Sequence, residues 1–288
     1  MIRHVFIHAG RHKTGTTALQ AFLAKNDRHL LERFGLLYPL TGRDTQKHYH
    51  HHLFTDLIEK GDDSLTLLKQ VGIEANLRGA TGVVLSSEIL SRTVVASAHL
   101  EAIRRCVAQW AHTASIVLYV RRQDSFLESS YAELVKRGFL RAPQTIRDMD
   151  MELDYERFVG MHASVFGHSA IKLRTYESAV REGLFVDFLE AIEVPDSSGF
   201  DIPVSKANRR LPWLYIYLLR HANRWPSLNR FMRRTSIVAS VNRLQSKFPA
   251  LMDSCSPLSP EDKTLLVDRY DRTNRAVARA YLDRDTLF

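Results

Sequence analysis

Short apolar runs alternate with helix-periodic stretches through the first two thirds of the chain. His4-Val-Phe-Ile-His8, ending at Ala9-Gly10, predicts a buried strand. From Thr17 to about Phe34, the residues Leu19, Phe22, Leu23, Leu30, Leu31 and Phe34 recur at near-helical spacing and predict a helix. Val83-Val84-Leu85 predicts a second strand that runs into Ser86-Ser87-Glu88. Ser115–Val120 predicts a third, followed by Arg121-Arg122 and a helix from about Asp124 to Lys136. Ala170–Arg174 predicts a fourth, and the helix after it uses Leu184, Phe185, Phe188, Leu189 and Ile192. Strands alternating with helices point to an α/β fold, a parallel central sheet flanked by helices on both faces. After Pro195 the pattern is helical only. The last helix opens at Ser259-Pro-Glu-Asp262, an N-cap serine with proline in the first turn and an acid three residues on, and runs to about Leu282. The expectation is a single domain over 1–288, with an α/β core in 1–195 and an all-helical lobe in 200–288. The boundary is expected near Pro195-Asp-Ser-Ser-Gly199.

Composition narrows the class. A chain of 288 residues with 45% hydrophobic and 25% charged positions can bury a core and is not disordered throughout. Two cysteines, Cys106 and Cys255, make no disulfide scaffold, and no CxxC pair offers a structural zinc site. The apolar run Trp213–Leu219 is far short of the roughly 20 residues of a membrane span. Met1-Ile-Arg-His4 leads straight into the first strand rather than a signal peptide. The expectation is a soluble cytoplasmic protein.

Charge changes the picture again. The net charge is +8, and it is concentrated: residues 202–252 hold ten Lys and Arg and no acid. Trp213, Tyr215, Tyr217, Trp225, Phe231 and Phe248 are interleaved with them. Such a segment is either a solvated cationic face or a surface that receives an anionic ligand, substrate or bilayer.

The loop after the first strand reads Gly10-Arg-His-Lys-Thr-Gly15-Thr-Thr17. Gly10 and Gly15 have the spacing of a nucleotide-triphosphatase P-loop, but Thr16 stands where its lysine would be and the cation has moved to Lys13. Backbone amides and the start of the next helix would still cradle a phosphate. Lys13-Thr-Gly-Thr-Thr17 resembles the 5′-phosphosulfate loop of sulfotransferases that use 3′-phosphoadenosine 5′-phosphosulfate (PAPS). The same family binds the donor's 3′-phosphate with an arginine at a strand end and a serine eight residues later. Arg122 and Ser130 have that spacing, with Tyr131 next; Arg121 and Ser129 have it too. An arginine fork suits phosphate on chemical grounds, and Tyr131 after the serine favours the Arg122–Ser130 register; the alternative is that Arg122 pairs a helix acid such as Asp124. Ile171-Lys-Leu-Arg-Thr-Tyr-Glu177, with the following helix ending in Val194-Pro195, is similar to bacterial carbohydrate-type members.

The resemblance implies a P-loop NTPase-like sheet, PAPS as co-substrate, and a sulfuryl acceptor that is a glycan or glycolipid. It assigns Lys13 to the bridging oxygen and leaving group, and Arg11, His12, Thr14, Gly15, Thr16 and Thr17 to the 5′-phosphate. The family's Arg-Lys-Gly loop has no evident counterpart, and Lys206, Asn208, Arg209 and Arg210 are the candidates to replace it. Glu88, the acid that ends a strand, is the candidate base. The cluster Lys47-His48-Tyr-His50-His51-His52 offers a rival in His48, His50 or His51; it also admits a metal site or a plain solvated loop, and no metal is expected. The basic helical lobe is expected on the acceptor side, its aromatics in 202–252 offering either stacking faces for sugar rings or a peripheral anchor at a membrane, and nucleic acid is not expected. Two other readings stand beside this one: an ATP-dependent P-loop kinase, and a non-catalytic basic module at an anionic surface.

Overall fold

The computed structural model describes residues 1–50, 53–55, 65–92, 95–139, 153–203, 211–248 and 256–288. Five strands form one parallel sheet: β1 (Ile2–His8), β2 (Leu36–Leu37), β3 (Gly82–Ser86), β4 (Ala111–Val120) and β5 (Ile171–Thr175), in the order β2-β3-β1-β4-β5. β1 is central, with His8 opposite Ser86 on one side and Val117 on the other.

The helices are α1 (Thr16–Lys25), α2 (Asp27–Phe34), α3 (Thr66–Leu77), α4 (Ser97–Val107), α5 (Gln123–Lys136), α6 (Tyr155–Phe166), α7 (Tyr176–Glu182) and α8 (Leu184–Ala191). They are followed by α9 (Trp213–Ala222), α10 (Pro226–Met232), α11 (Thr235–Lys247) and α12 (Pro260–Leu282). None of the described helices is long and apolar enough to cross a membrane.

Alternation along the strands builds two cores. Val5 and Ile7 of β1, Val83 and Leu85 of β3, and Ile116 and Leu118 of β4 pack with Leu68 and Val71 of α3, Ile103 of α4 and Phe158 of α6. Phe6, Val84, Val117 and Tyr119 point the other way and meet Leu19, Phe22 and Leu23 of α1, Leu30 of α2 and Phe188 of α8. Both faces are dry over β1, β3 and the second half of β4, which is why these read as apolar runs, whereas β5 at the edge alternates buried and half-buried positions.

The helix expected over 17–34 is two helices. Asn26 turns its side-chain amide back onto the Phe22 carbonyl (2.9 Å) and accepts the backbone N–H of Asp201 (2.8 Å), so the chain breaks there. Gly35, at φ 67°, then stops α2 in a left-handed turn closed to adopt only at a cost by other residues. At α12 the Ser259 hydroxyl accepts from the Asp262 N–H (3.1 Å) and the Asp262 carboxylate from the Ser259 N–H (3.1 Å), the reciprocal cap expected from the sequence.

The chain divides into two compact units, and the division differs from a single cut near 195–200. One unit is Met1–Arg121, Glu152–Pro203 and Arg272–Phe288; the other is Arg122–Met151 and Val204–Asp271. The basic helical segment therefore shares its unit with α5, and the end of α12 belongs with the sheet. Within the second unit, the Asn223 amide donates to the carbonyls of Val135 (2.9 Å) and Phe139 (3.1 Å), and buried Glu128 accepts from Ser256 (2.7 Å) and Lys263 (2.9 Å).

Candidate functional site

β1 ends at the middle of the sheet, so the loop that follows it opens at the carboxyl edge of the strands, where open α/β sheets bind ligands. The loop is built on the Arg11 carbonyl, which accepts from the hydroxyls of Thr14 (2.6 Å) and Thr16 (3.4 Å). The Arg11 guanidinium is buried (4% exposed), lying 5.0 Å from the Phe158 ring centre and 5.4 Å from that of Tyr155. The sequence reading gave that cation to a phosphate; the structure places it under the loop, among the rings of α6. Burial pushes the Tyr155 hydroxyl up to about 12, and that hydroxyl donates to the Arg121 carbonyl.

Lys13 sits at φ 68°, a left-handed conformation that costs an L-residue about 1–2 kcal/mol. Arg121 holds it there: its Nη1 donates to the Lys13 carbonyl (2.7 Å), and its guanidinium lies 4.9 Å from the Tyr176 ring centre. Gly15, at φ 80°, precedes α1; a methyl group there would come within 2.6 Å of Leu184 Cδ2. The Gly15 carbonyl takes the N–H groups of Ala18 and Leu19. Helix geometry leaves those of Thr16 and Thr17 without intrahelical acceptors, facing the end where an anion is favoured.

Glu88 opens a short 3-10 turn (Glu88–Ser91) directly after β3, and its carboxylate meets the loop. His12 Nδ1 lies 2.7 Å from Glu88 Oε2, the imidazole 45% exposed and the carboxylate 16%. The Ser91 hydroxyl, 3.2 Å from the Gly10 carbonyl and 2.8 Å from that of Glu88, ties the two strand ends together.

Beneath them lies a buried polar floor that the sequence reading missed. His8 Nδ1 is 2.9 Å from the Ser86 hydroxyl, which also receives the Gln20 amide (3.1 Å). Among the described residues His8 Nε2 has no hydrogen-bond partner; it faces Gly10, where a Cβ would stand 2.4 Å away. Burial drives the His8 imidazole down to about 4, against a smaller upward pull from Glu88. A histidine ending a buried strand was the available signal, but only the β1–β3 register shows what it meets.

The histidine cluster divides. His50 is buried; its backbone N–H donates to the Ser86 carbonyl (2.8 Å), its Nδ1 accepts from the Ser86 N–H (3.2 Å), and its Nε2 reaches the Pro39 carbonyl (3.0 Å). With both ring nitrogens so engaged, His50 is a brace of the sheet edge rather than an acceptor-side group. His48 lies in the turn 44–49, where Asp44 accepts the N–H groups of Gln46 and Lys47, and its carbonyl accepts from the Tyr38 hydroxyl. His51 and His52 lie outside the described residues, as do Lys206, Asn208, Arg209, Arg210 and Cys255. Among the described residues no group of three or more His, Cys, Asp or Glu could hold a metal ion.

The second unit carries the other motif. Arg122 is the N-cap residue of α5 and grips Asp124 with two hydrogen bonds of 2.7 Å. Burial works against the Asp124 charge, but the Arg122 bonds and the Ser125 N–H hold its carboxyl below the ordinary range. The helix acid is thus Arg122's partner, the alternative that the sequence left open. Two turns on, Ser130 is buried and its hydroxyl has no hydrogen-bond partner among the described residues, whereas Ser129 is half-buried.

No family model matches the chain. A protein of Archaeoglobus fulgidus, described as uncharacterized, is 26% identical over 179 residues, which is 61% of this chain and 48% of that protein. The chain thus spans about half the length of the curated relative it matches. Among solved structures, the crystal structure of a sulfotransferase from Alicyclobacillus acidocaldarius is similar at a TM-score of 0.45 and 18% identity, over 83% of this chain and 100% of that one. A likeness of that size leaves the reading of the site to its own residues.

Proposed function

We propose that the protein is a sulfotransferase that moves a sulfuryl group from PAPS to a hydroxyl of a carbohydrate or glycolipid, releasing adenosine 3′,5′-bisphosphate. The observation that carries the reading is the loop between β1 and α1: Thr16 starts the helix where a nucleotide-triphosphatase has lysine, and Lys13 stands three residues earlier in a left-handed conformation. That arrangement suits a donor with one phosphate against the helix start and the transferred group beside the cation.

In this reading the backbone amides of Thr14, Gly15, Thr16 and Thr17 and the Thr17 hydroxyl hold the 5′-phosphate, and Lys13 meets the charge that grows on the leaving oxygen. Arg122 and Ser130 take the 3′-phosphate. The partnerless buried Ser130 hydroxyl supports this, because a buried hydroxyl without a partner costs stability unless a ligand completes it. Arg122 then shares its fork between Asp124 and the ligand.

Transfer forms a bond from the acceptor oxygen to sulfur and breaks the bond from sulfur to the 5′-phosphate oxygen. The hydroxyl proton must leave with a base. The 2.7 Å contact supports a pair in which Glu88 holds His12 Nδ1–H, so that Nε2 is the proton acceptor. Glu88 is then the positioning carboxylate of the base rather than the base alone.

The test is a thermal shift with adenosine 3′,5′-bisphosphate set against Mg-ATP, followed by transfer of labelled sulfate from PAPS to a panel of glycans and glycolipids. Selective stabilisation by the bisphosphate and label on a glycan hydroxyl are expected. A preference for Mg-ATP would overturn the reading.

A further inference from the structure

The second unit presents apolar side chains to solvent at helical spacing, set among arginines. Trp225 precedes α10 and is 54% exposed, and Leu228 and Phe231 follow at three-residue intervals, also exposed. Leu228 and Phe231 share one side of the helix, and Trp225 stands in extended backbone at its start. Met232 is the buried residue of this short helix, so α10 is held by little of its own surface. Around the three stand exposed Arg224, Arg230 and Arg234, the last with its guanidinium 5.4 Å from the Phe231 ring centre. The same unit exposes Leu244 and Phe248 beside Arg243 and Lys247 at the end of α11.

We propose that α10, through Trp225, Leu228 and Phe231 with Arg224, Arg230 and Arg234, docks on a lipid bilayer rich in anionic headgroups. Two observations choose this occupant. The first is charge complementarity: no acid interrupts 202–252, so the segment repels nothing on an anionic membrane, whose surface attracts each nearby Lys or Arg. The second is the mixture itself. Aliphatic Leu228 and Leu244 offer nothing to a polyanion in water, whereas leucine, phenylalanine and tryptophan beside arginine suit the boundary of headgroups and acyl chains. The aromatic rings sit at the polar–apolar interface and the guanidinium groups reach the phosphates above them. Docking does not depend on the sulfotransferase reading, since no residue of the loop or of the Arg122–Ser130 motif takes part.

The tryptophans make the test direct. The chain has three: Trp110 and Trp213 are buried, and Trp225 is the exposed one. With the full chain and vesicles of phosphatidylcholine and phosphatidylglycerol in equal parts, we expect co-sedimentation and a blue shift of the Trp225 emission, and neither with phosphatidylcholine alone. Leu228→Ser with Phe231→Ser should weaken binding by about tenfold or more. Arg224→Ser with Arg230→Ser should weaken it by a similar factor and flatten its salt dependence. These side chains are exposed, so the melting temperature should hold, and unchanged binding in the first pair would overturn the proposal. So would equal binding to single-stranded DNA that the apolar pair leaves intact, which would mark a polyanion surface. Vesicle binding with the Trp225 emission unmoved would also sink it.

Discussion

His12 reaches Glu88 across the ends of two neighbouring strands, its Nδ1 2.7 Å from a carboxylate oxygen. If this pair handles the acceptor proton, His12→Ala should cost more than Glu88→Gln. We expect a fall in kcat of about 10²–10⁴ for the histidine variant, the usual worth of a general base. Glu88→Gln keeps a hydrogen-bond acceptor for Nδ1–H and should lose less. Bisphosphate binding should survive in both. Equal, near-complete losses in both variants would instead make Glu88 the base in its own right.

Ser130→Ala separates ligand binding from folding. Among the described residues the hydroxyl has no partner, so removing it should leave the free protein as stable as before or slightly more stable, while the thermal shift caused by adenosine 3′,5′-bisphosphate shrinks. Arg122→Ala should abolish that shift but also lower the melting temperature of the free protein, because Asp124 is left buried and unpaired. Adding Asp124→Asn should recover stability without recovering the ligand shift. A full shift in Ser130→Ala would move the 3′-phosphate elsewhere.

Lys13→Gly should stabilise the free protein by up to about 1 kcal/mol and lose transfer together. Glycine occupies φ 68° without steric cost, so the backbone strain goes with the side chain. Urea unfolding and a transfer assay on the same sample check both halves. A destabilised variant would show that the lysine side chain supports the loop more than the backbone strains it.

His8 makes acid stability measurable. Burial holds its imidazole near 4, below the roughly 6.5 of an unfolded histidine, so between those values the unfolded chain binds the extra proton. The stability tied to this group is therefore complete above about pH 6.5 and is lost as pH falls toward 4. The loss amounts to roughly 3 kcal/mol, with no further change from His8 below that pH. Denaturant midpoints across this range should show the slope in the native chain, and a much flatter one in His8→Asn.

Strand placement was legible where both faces of the sheet are buried, which turns β1, β3 and the second half of β4 into apolar runs; β5, Ile-Lys-Leu-Arg-Thr at the sheet's edge, alternates instead. The two-residue β2 carries no periodicity, and the polar first half of β4, Ala111–Ala114, escaped because its pairing to β1, not its side chains, makes it a strand. The break at Asn26 depended on a contact 175 residues away at Asp201. The loop motif was readable from spacing alone, but the fates of its two cations were not. Lys13 lies at the loop's strained turn, and Arg11 lies beneath it over Phe158. Nothing local distinguishes those outcomes, since both are cations in a glycine-bounded loop. The division into units was hidden for the same reason, because α5 follows β4 without a break in sequence yet belongs with the basic helices.

Ser86 is engaged at every polar atom. Its N–H and carbonyl bond to His50, and its hydroxyl meets both His8 and Gln20. Three segments of chain therefore close on one small residue that lies near the loop but touches no proposed ligand. Across descendants of this sequence, Ser86, His8 and His50 should drift as slowly as any residue that performs chemistry, and a histidine–serine pair frozen in this way would be easily mistaken for a hydrolytic centre. Telling an invariant brace from an invariant reagent requires asking whether its atoms are already spoken for.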